Sequence, residues 1–71
     1  MKWMLKETLK RHKLSAYQLR KASGLSVNTV YPMVRGEAER VSLATLDRVI
    51  ETLRELSGER VVVGDVLEYE G

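Results

Sequence analysis

The side chains that could do chemistry in this sequence are hydrogen-bonding and cationic groups rather than catalytic ones. Ser26, Val27, Thr29 and the chain's sole asparagine, Asn28, stand together; Tyr31 follows one helical turn later, and Arg35 and Arg40 come after it. An asparagine amide donates and accepts at once, so Asn28 can meet N6 and N7 of an adenine together, while Val27 suits a thymine methyl. The hydroxyls of Ser26 and Thr29 and the guanidinium groups of Arg35 and Arg40 suit phosphate oxygens. Bond-breaking chemistry lacks its parts. The chain has one histidine, His12, no cysteine, and no carboxylate pair or phosphate loop in a cleft-forming context, so neither an enzyme nor a metal centre or cofactor is expected.

Side chains that read a duplex need a rigid carrier, and apolar spacing supplies one. A first helix is expected over roughly residues 3–12, with Met4, Leu5, Thr8, Leu9 and His12 on one face. Lys2, Lys6, Lys10 and Lys13 lie on another, which suits either a phosphate path or a solvated face. Trp3 and Tyr17 read as surface packing. Ser15-Ala16-Tyr17-Gln18 fits a capping box opening a second helix, with Leu19 and Ala22 facing inward. Gly24 stands where a helix end takes a left-handed residue. Ser26 then caps a third helix with Val30, Met33 and Val34 inside, and Gly36 closes it. Residues 37–41 form an exposed loop. Ser42 caps a fourth helix whose inner stripe is Leu43, Leu46, Val49, Ile50, Leu53 and Leu56, ended by Ser57-Gly58. Val61, Val62 and Val63 favour extended backbone, and Asp65 is placed to cap a last short turn carrying Val66, Leu67 and Tyr69.

Two short helices joined through Gly24-Leu25-Ser26 make a helix-turn-helix. Residues 15–36, read as S-x-x-x-L-x-x-A-S-G-L-S-x-x-T-V-Y-x-x-V-R-G, resemble the motif of the phage-repressor/Cro-like (XRE-type) DNA-binding domains. S-L-x-T-L-x-x-V-I-x-x-L (42–53) resembles that family's fourth helix, and G-D-V-L-E-Y (64–69) its common ending. The resemblance implies an all-α, compact, lambda-repressor-like domain of four to five helices with a central helix-turn-helix and a short extended C-terminal segment. It implies a sequence-specific transcriptional regulator that places the third helix, 26–35, in the major groove of double-stranded DNA. Val27, Asn28 and Tyr31 fall at the family's base-reading positions. Ser15, Gln18, Ser26, Thr29, Arg35 and Arg40 are the expected phosphate contacts, the positive ends of both helices adding N–H groups.

Three residues depart from the family pattern. Pro32 occupies a site that commonly holds a polar or basic residue, Arg20 one that is usually small, and Ala16 one that often carries a phosphate-binding glutamine. Pro32 cannot donate to the Asn28 carbonyl, so a kinked or tightened third helix is expected. Arg20 must extend outward.

At 71 residues one domain, 1–71, is expected, with about 60% of the unfolded surface buried. Charge is segregated: residues 1–36 hold eight Lys/Arg and one acid, net +7, while residues 37–71 hold four Arg and nine acids, net −5. A positive half suits a polyanion. No long apolar run or signal pattern is present, so a soluble, cytoplasmic, nucleoid-associated protein is expected. A homodimer is expected too, with Val61–Val63 of two copies pairing as antiparallel strands, the alternative being a monomer in which Val62 packs under the fourth helix. The alternative is an antitoxin-like or adaptor module whose acidic half binds a basic protein and whose DNA binding is weak or secondary.

Overall fold

The computed structural model describes residues 1–70. Four α-helices follow a short strand: β1 is Lys2–Trp3, α1 Leu5–Arg11, α2 Ala16–Ser23, α3 Val27–Arg35 and α4 Leu43–Ser57. A 3-10 turn, Val63–Asp65, leads into β2, Leu67–Glu68, which pairs antiparallel with β1. Trp3 therefore lies in a strand, opposite Leu67, rather than in the first helix.

Each helix boundary has a local cause. At α2 the full capping box forms: the Gln18 N–H donates to Ser15 Oγ (3.1 Å) and the Ser15 N–H to Gln18 Oε1 (2.8 Å). Ser42 Oγ accepts from the Thr45 N–H at 3.1 Å to start α4. Gly24 and Gly36 end α2 and α3 at φ +75° and +77°, where a β-carbon would crowd the backbone. Lys13 takes φ +57° between α1 and α2 without being glycine, a conformation that costs about 1 kcal/mol. Its N–H and that of Leu14 close on the Lys10 and Leu9 carbonyls, at 3.1 and 2.8 Å.

The core gathers Leu5 and Leu9 of α1, Leu19 of α2, Val30 and Met33 of α3, and Leu46, Val49 and Leu53 of α4, sealed below by Val61 and Val66. Two expected inward residues are exposed, and Met4, His12, Val34, Ile50 and Leu56 are half-buried. Ala22 is exposed and Ser23 is buried in its place, because α2 turns its i, i+4 pair, Leu19 and Ser23, toward the core. Leu43 is 84% exposed, since the first turn of α4 runs past the body that Leu46 helps to fill. Thr8, Ser23 and Thr52 are the buried polar residues, and their hydroxyls bond to the carbonyls of Asp65, Arg20 and Arg48.

Val61–Val63 pairs with no strand of its own chain, although Val62 keeps extended backbone (φ −119°, ψ 170°). Val61 is 1% exposed and packs into the core, and Arg54 Nε donates to its carbonyl at 2.8 Å. The Val62 N–H donates to Asp65 Oδ2 (2.9 Å), while the Asp65 and Val66 N–H groups donate to the Val62 and Val63 carbonyls. With these backbone groups bonded inside the chain, the segment has less need of a partner strand.

Asp65 fastens the tail to α1 as well, through Arg11 Nη2 at 3.2 Å. The Val62 N–H on its carboxylate, joined by Arg11, holds Asp65 below the usual carboxylate range. Because the folded value is the lower one, the stability it contributes is present above the unfolded carboxylate value and is lost as pH falls through the folded value. Acid unfolding followed by circular dichroism should show that loss in the wild type. An Asp65→Asn variant should be less stable at neutral pH and should lack that part of the acid dependence; parallel curves would remove Asp65 from the acid limb.

Candidate nucleic-acid interface

The third helix is built to turn one face inward and leave its first turn outside. Val30 and Met33 are buried, with Val34 half-buried beside them. Val27 is 51% exposed and Asn28 is exposed, while Tyr31, one turn on, is half-buried. Ser26 starts the helix in extended backbone, yet its hydroxyl caps no N–H. It pairs with Thr29 Oγ1 at 2.9 Å instead, and the Thr29 and Val30 N–H groups bond to the Ser26 carbonyl. The opening N–H groups of α3 have no acceptor within the helix and form the positive end of its dipole.

Pro32 does not break α3, which is α-helical without interruption from Val27 to Arg35. The proline carbonyl carries the helix end: the Glu37 N–H reaches it at 2.9 Å and the Ala38 N–H at 3.2 Å, while the Gly36 N–H bonds to Met33 at 3.2 Å. The Glu37 and Gly36 bonds are those of a Schellman closure. A residue that cannot donate thus works as an acceptor, and its own missing bond, to Asn28, falls on a half-exposed face.

The expected phosphate contacts are distributed over three elements. Ser15 and Gln18 are exposed at the start of α2; their capping bonds occupy Ser15 Oγ and Gln18 Oε1 as acceptors, leaving the Ser15 hydroxyl proton and the Gln18 amide protons for an anion. Ser26 is exposed and Thr29 half-buried. Arg35 is exposed and held by Glu37, 3.2 Å from its Nε; so exposed an ion pair is worth about 0–1 kcal/mol and yields readily to a phosphate. Arg40 is exposed in the loop before α4.

Among the three departures, Arg20 does extend outward, its guanidinium carbon 5.5 Å from the centre of the Tyr17 ring. Lys21 Nζ lies 5.6 Å from the same ring, so α2 carries a cation–aromatic cluster that the one-residue-at-a-time view of Tyr17 misses. Ala16 is half-buried and brings no polar group. Two long-range bonds are not visible in the sequence, one from Arg48 and one from Trp3, which is half-buried rather than plain surface packing. Arg48 of α4 donates from Nε to the Ser23 carbonyl at 2.8 Å, and Trp3 donates from Nε1 to the Ala38 carbonyl at 2.7 Å. A tryptophan N–H near a core implies some acceptor, but no local pattern names it. Nothing local marks Arg48 at all.

Among the described residues there is no cluster of metal-ligating side chains, and no helix is long and apolar enough to cross a membrane. No curated protein and no solved structure matches the chain. The family profile of the Cro/C1-type HTH DNA-binding domain matches residues 4–70, which takes in all four helices, the 3-10 turn and β2, and leaves out only β1 among these elements. With a capped helix, a left-handed glycine and an outward third helix in one continuous match, the chain belongs to the Cro/C1-type helix-turn-helix DNA-binding domain family.

Proposed function

We propose that residues 1–71 form a single-domain, sequence-specific transcriptional regulator that acts on nucleoid DNA in the cytoplasm, inserts the start of α3 into the major groove, and binds as a homodimer. Val27, Asn28 and Tyr31 address base edges; Ser15, Gln18, Ser26, Thr29, Arg35 and Arg40 address phosphates. The observation that carries this reading is the division of α3, with Val30 and Met33 closed in the core and Val27 and Asn28 left in the open. A helix about 10 Å across fits a groove about 12 Å wide, and its leading residues are those that reach base edges.

Selection of bound sites from random duplexes, followed by a salt series, tests it. A preferred site should emerge, and affinity should fall steeply as salt rises. Absence of binding even at low salt would favour an adaptor role instead. Asn28→Ala should relax preference at one base position by about 1–3 kcal/mol. An equal loss on every sequence would place Asn28 on the backbone.

The dimer is proposed through side chains rather than strands. Leu43, Ala44, Ile50 and Val63 line one shallow surface depression, with Leu46 at its floor and Asp47 as the one charge. Val63 is 53% exposed and Leu43 84% exposed, so two large aliphatic side chains face solvent side by side. A patch with a single charge is suited to its own twofold copy, and two domains so joined would present helices to half-sites about 34–36 Å apart. Leu43→Glu should turn a dimeric mass into a monomeric one in sedimentation, with stability changed by no more than about 0.5 kcal/mol, as expected of so exposed a position. A wild type that stays monomeric at high concentration removes this interface.

A further inference from the structure

We propose that α3 is held in its DNA-reading pose from outside the helix-turn-helix, by Arg48 at its leading turn and Trp3 at its trailing loop, and that both are positioning residues for recognition. The proposal rests on the DNA-binding reading above and assigns its geometry to two side chains that touch no base.

The motif by itself has little to keep α3 in place. Nine residues make two and a half turns, three of the nine are valine, one is threonine and one is proline. A helix this short and this poor in helix formers does not persist on its own. Val30 and Met33 seat its inner face in the core, and what holds the chain just before and just after it limits how it can rotate or slide on that seat. Before it, the turn runs through Ser23, which is 4% exposed. The Ser23 hydroxyl donates to the Arg20 carbonyl (3.3 Å) and accepts from the Leu25 N–H (3.2 Å), so the serine side chain shapes the turn from within. The Ser23 carbonyl is the turn's external attachment, and Arg48 Nε binds it at 2.8 Å across 25 positions of sequence. A guanidinium is a planar, permanently charged donor, so this bond is charge-assisted and directional in a way an ammonium would not reproduce.

After α3, the chain leaves through Gly36 into the loop 37–42. Trp3 stands against this exit. Its Cβ is 4.0 Å from where a Gly36 β-carbon would sit, and its indole N–H donates to the Ala38 carbonyl at 2.7 Å, 35 positions away. Trp3 is itself anchored, since β1 pairs with β2 and the neighbouring Met4 N–H bonds to the Val66 carbonyl at 2.7 Å. The C-terminal end of α2, which leads into the turn before α3, is thereby tied to α4, and the loop that leaves α3 is tied to the terminal ribbon, each through a main-chain carbonyl. Rotating or sliding α3 relative to the body breaks one tie or the other.

A competing role for Arg48 is a direct phosphate contact, because its side chain is exposed beyond the bonded Nε. The two roles differ in what a lysine can replace. The experiment compares wild type with Arg48→Lys, Arg48→Met and Trp3→Phe in the full chain, measuring affinity for the selected site and for random duplex over a salt series, together with amide exchange in the free protein. Positioning predicts that Arg48→Lys and Trp3→Phe lower the ratio of specific to random affinity by roughly fivefold, the scale of one ordinary hydrogen bond. Random-duplex affinity and the salt slope stay at wild-type values in both, and amides from Val30 to Val34 exchange faster while those of Leu9 and Leu53 do not. If Arg48→Lys matches wild type while Arg48→Met weakens both duplexes equally and lowers the salt slope by about one, Arg48 is a phosphate ligand and the proposal fails. Uniformly faster exchange throughout Trp3→Phe, with the affinity ratio kept, makes Trp3 merely structural and overturns its half. Should the wild type bind no DNA, the functional reading falls separately; unchanged exchange in α3 of all three variants then overturns the clamp as well.

Discussion

Leu19→Ala is expected to cost about 2–5 kcal/mol, the range for emptying a fully enclosed leucine site. Leu19 is 0% exposed and lies where α2 packs between α3 and α4. Total stability in a domain of this size sits near the low end of about 5–15 kcal/mol, so the upper part of that range would leave a large unfolded fraction at 37 °C. DNA binding should fail with it, because α2 is the element against which α3 is placed. The check is a denaturant titration: the midpoint should drop while the slope, which follows the surface exposed on unfolding, stays constant. A cost below about 1 kcal/mol would mean that the site collapses freely and that α2 is not a principal support of the motif.

Pro32→Ala is expected to act in the opposite direction. Alanine restores an N–H that can bond the Asn28 carbonyl, and interior proline disfavours a helix by about 3 kcal/mol relative to alanine. Part of that gain is offset, since proline restricts the unfolded chain and losing it returns about 0.4–1 kcal/mol of unfolded-state freedom. A net gain of about 2 kcal/mol corresponds to a rise in melting temperature of roughly 8–16 °C for a chain of this length. The Schellman closure should survive the change, because it uses the carbonyl of residue 32 and not its nitrogen. The proline lies one turn beyond Asn28 on the proposed reading side of α3, so the more stable variant should also bind its selected site differently. A Pro32→Ala protein that melts at or below the wild-type temperature would show that the backbone of α3 already accommodates the ring without cost.

The contrast between these two residues marks how far the letters of the sequence reach. Leu19 is legible: it repeats the apolar spacing of an amphipathic helix, and it is the one large aliphatic side chain in Ser15–Gly24. Ser15, Gly24, Gly36, Ser42 and Gly58 are legible for the same kind of reason, since caps and left-handed closures depend on side chains within four residues of the bond they make. Pro32 is half legible. Its missing donor can be read from the residue type, but the compensation, its carbonyl closing the helix end, depends on where Glu37 and Ala38 go. Ala22 and Leu43 were misread because periodicity gives a stripe along a helix and not the point at which the rest of the body stops covering it. The tail is half legible: Val62 keeps the extended backbone its type prefers (φ −119°, ψ 170°), but the entry of Val61 into the core and the Arg54 bond to its carbonyl depend on where the rest of the body lies.

By itself, then, the chain determined its helices, most of their caps and the inner faces of α3 and α4, because each is fixed by interactions spanning a turn or two. Only the tertiary structure decided which of the exposed polar groups are spoken for and which stay free, and what steadies the short third helix. The Arg48 bond to Ser23, the Trp3 bond to Ala38 and the Arg11 pair with Asp65 join positions 25, 35 and 54 residues apart. Contacts of that span arise only once the core has closed, since no local propensity encodes which distant carbonyl or carboxylate a side chain will meet.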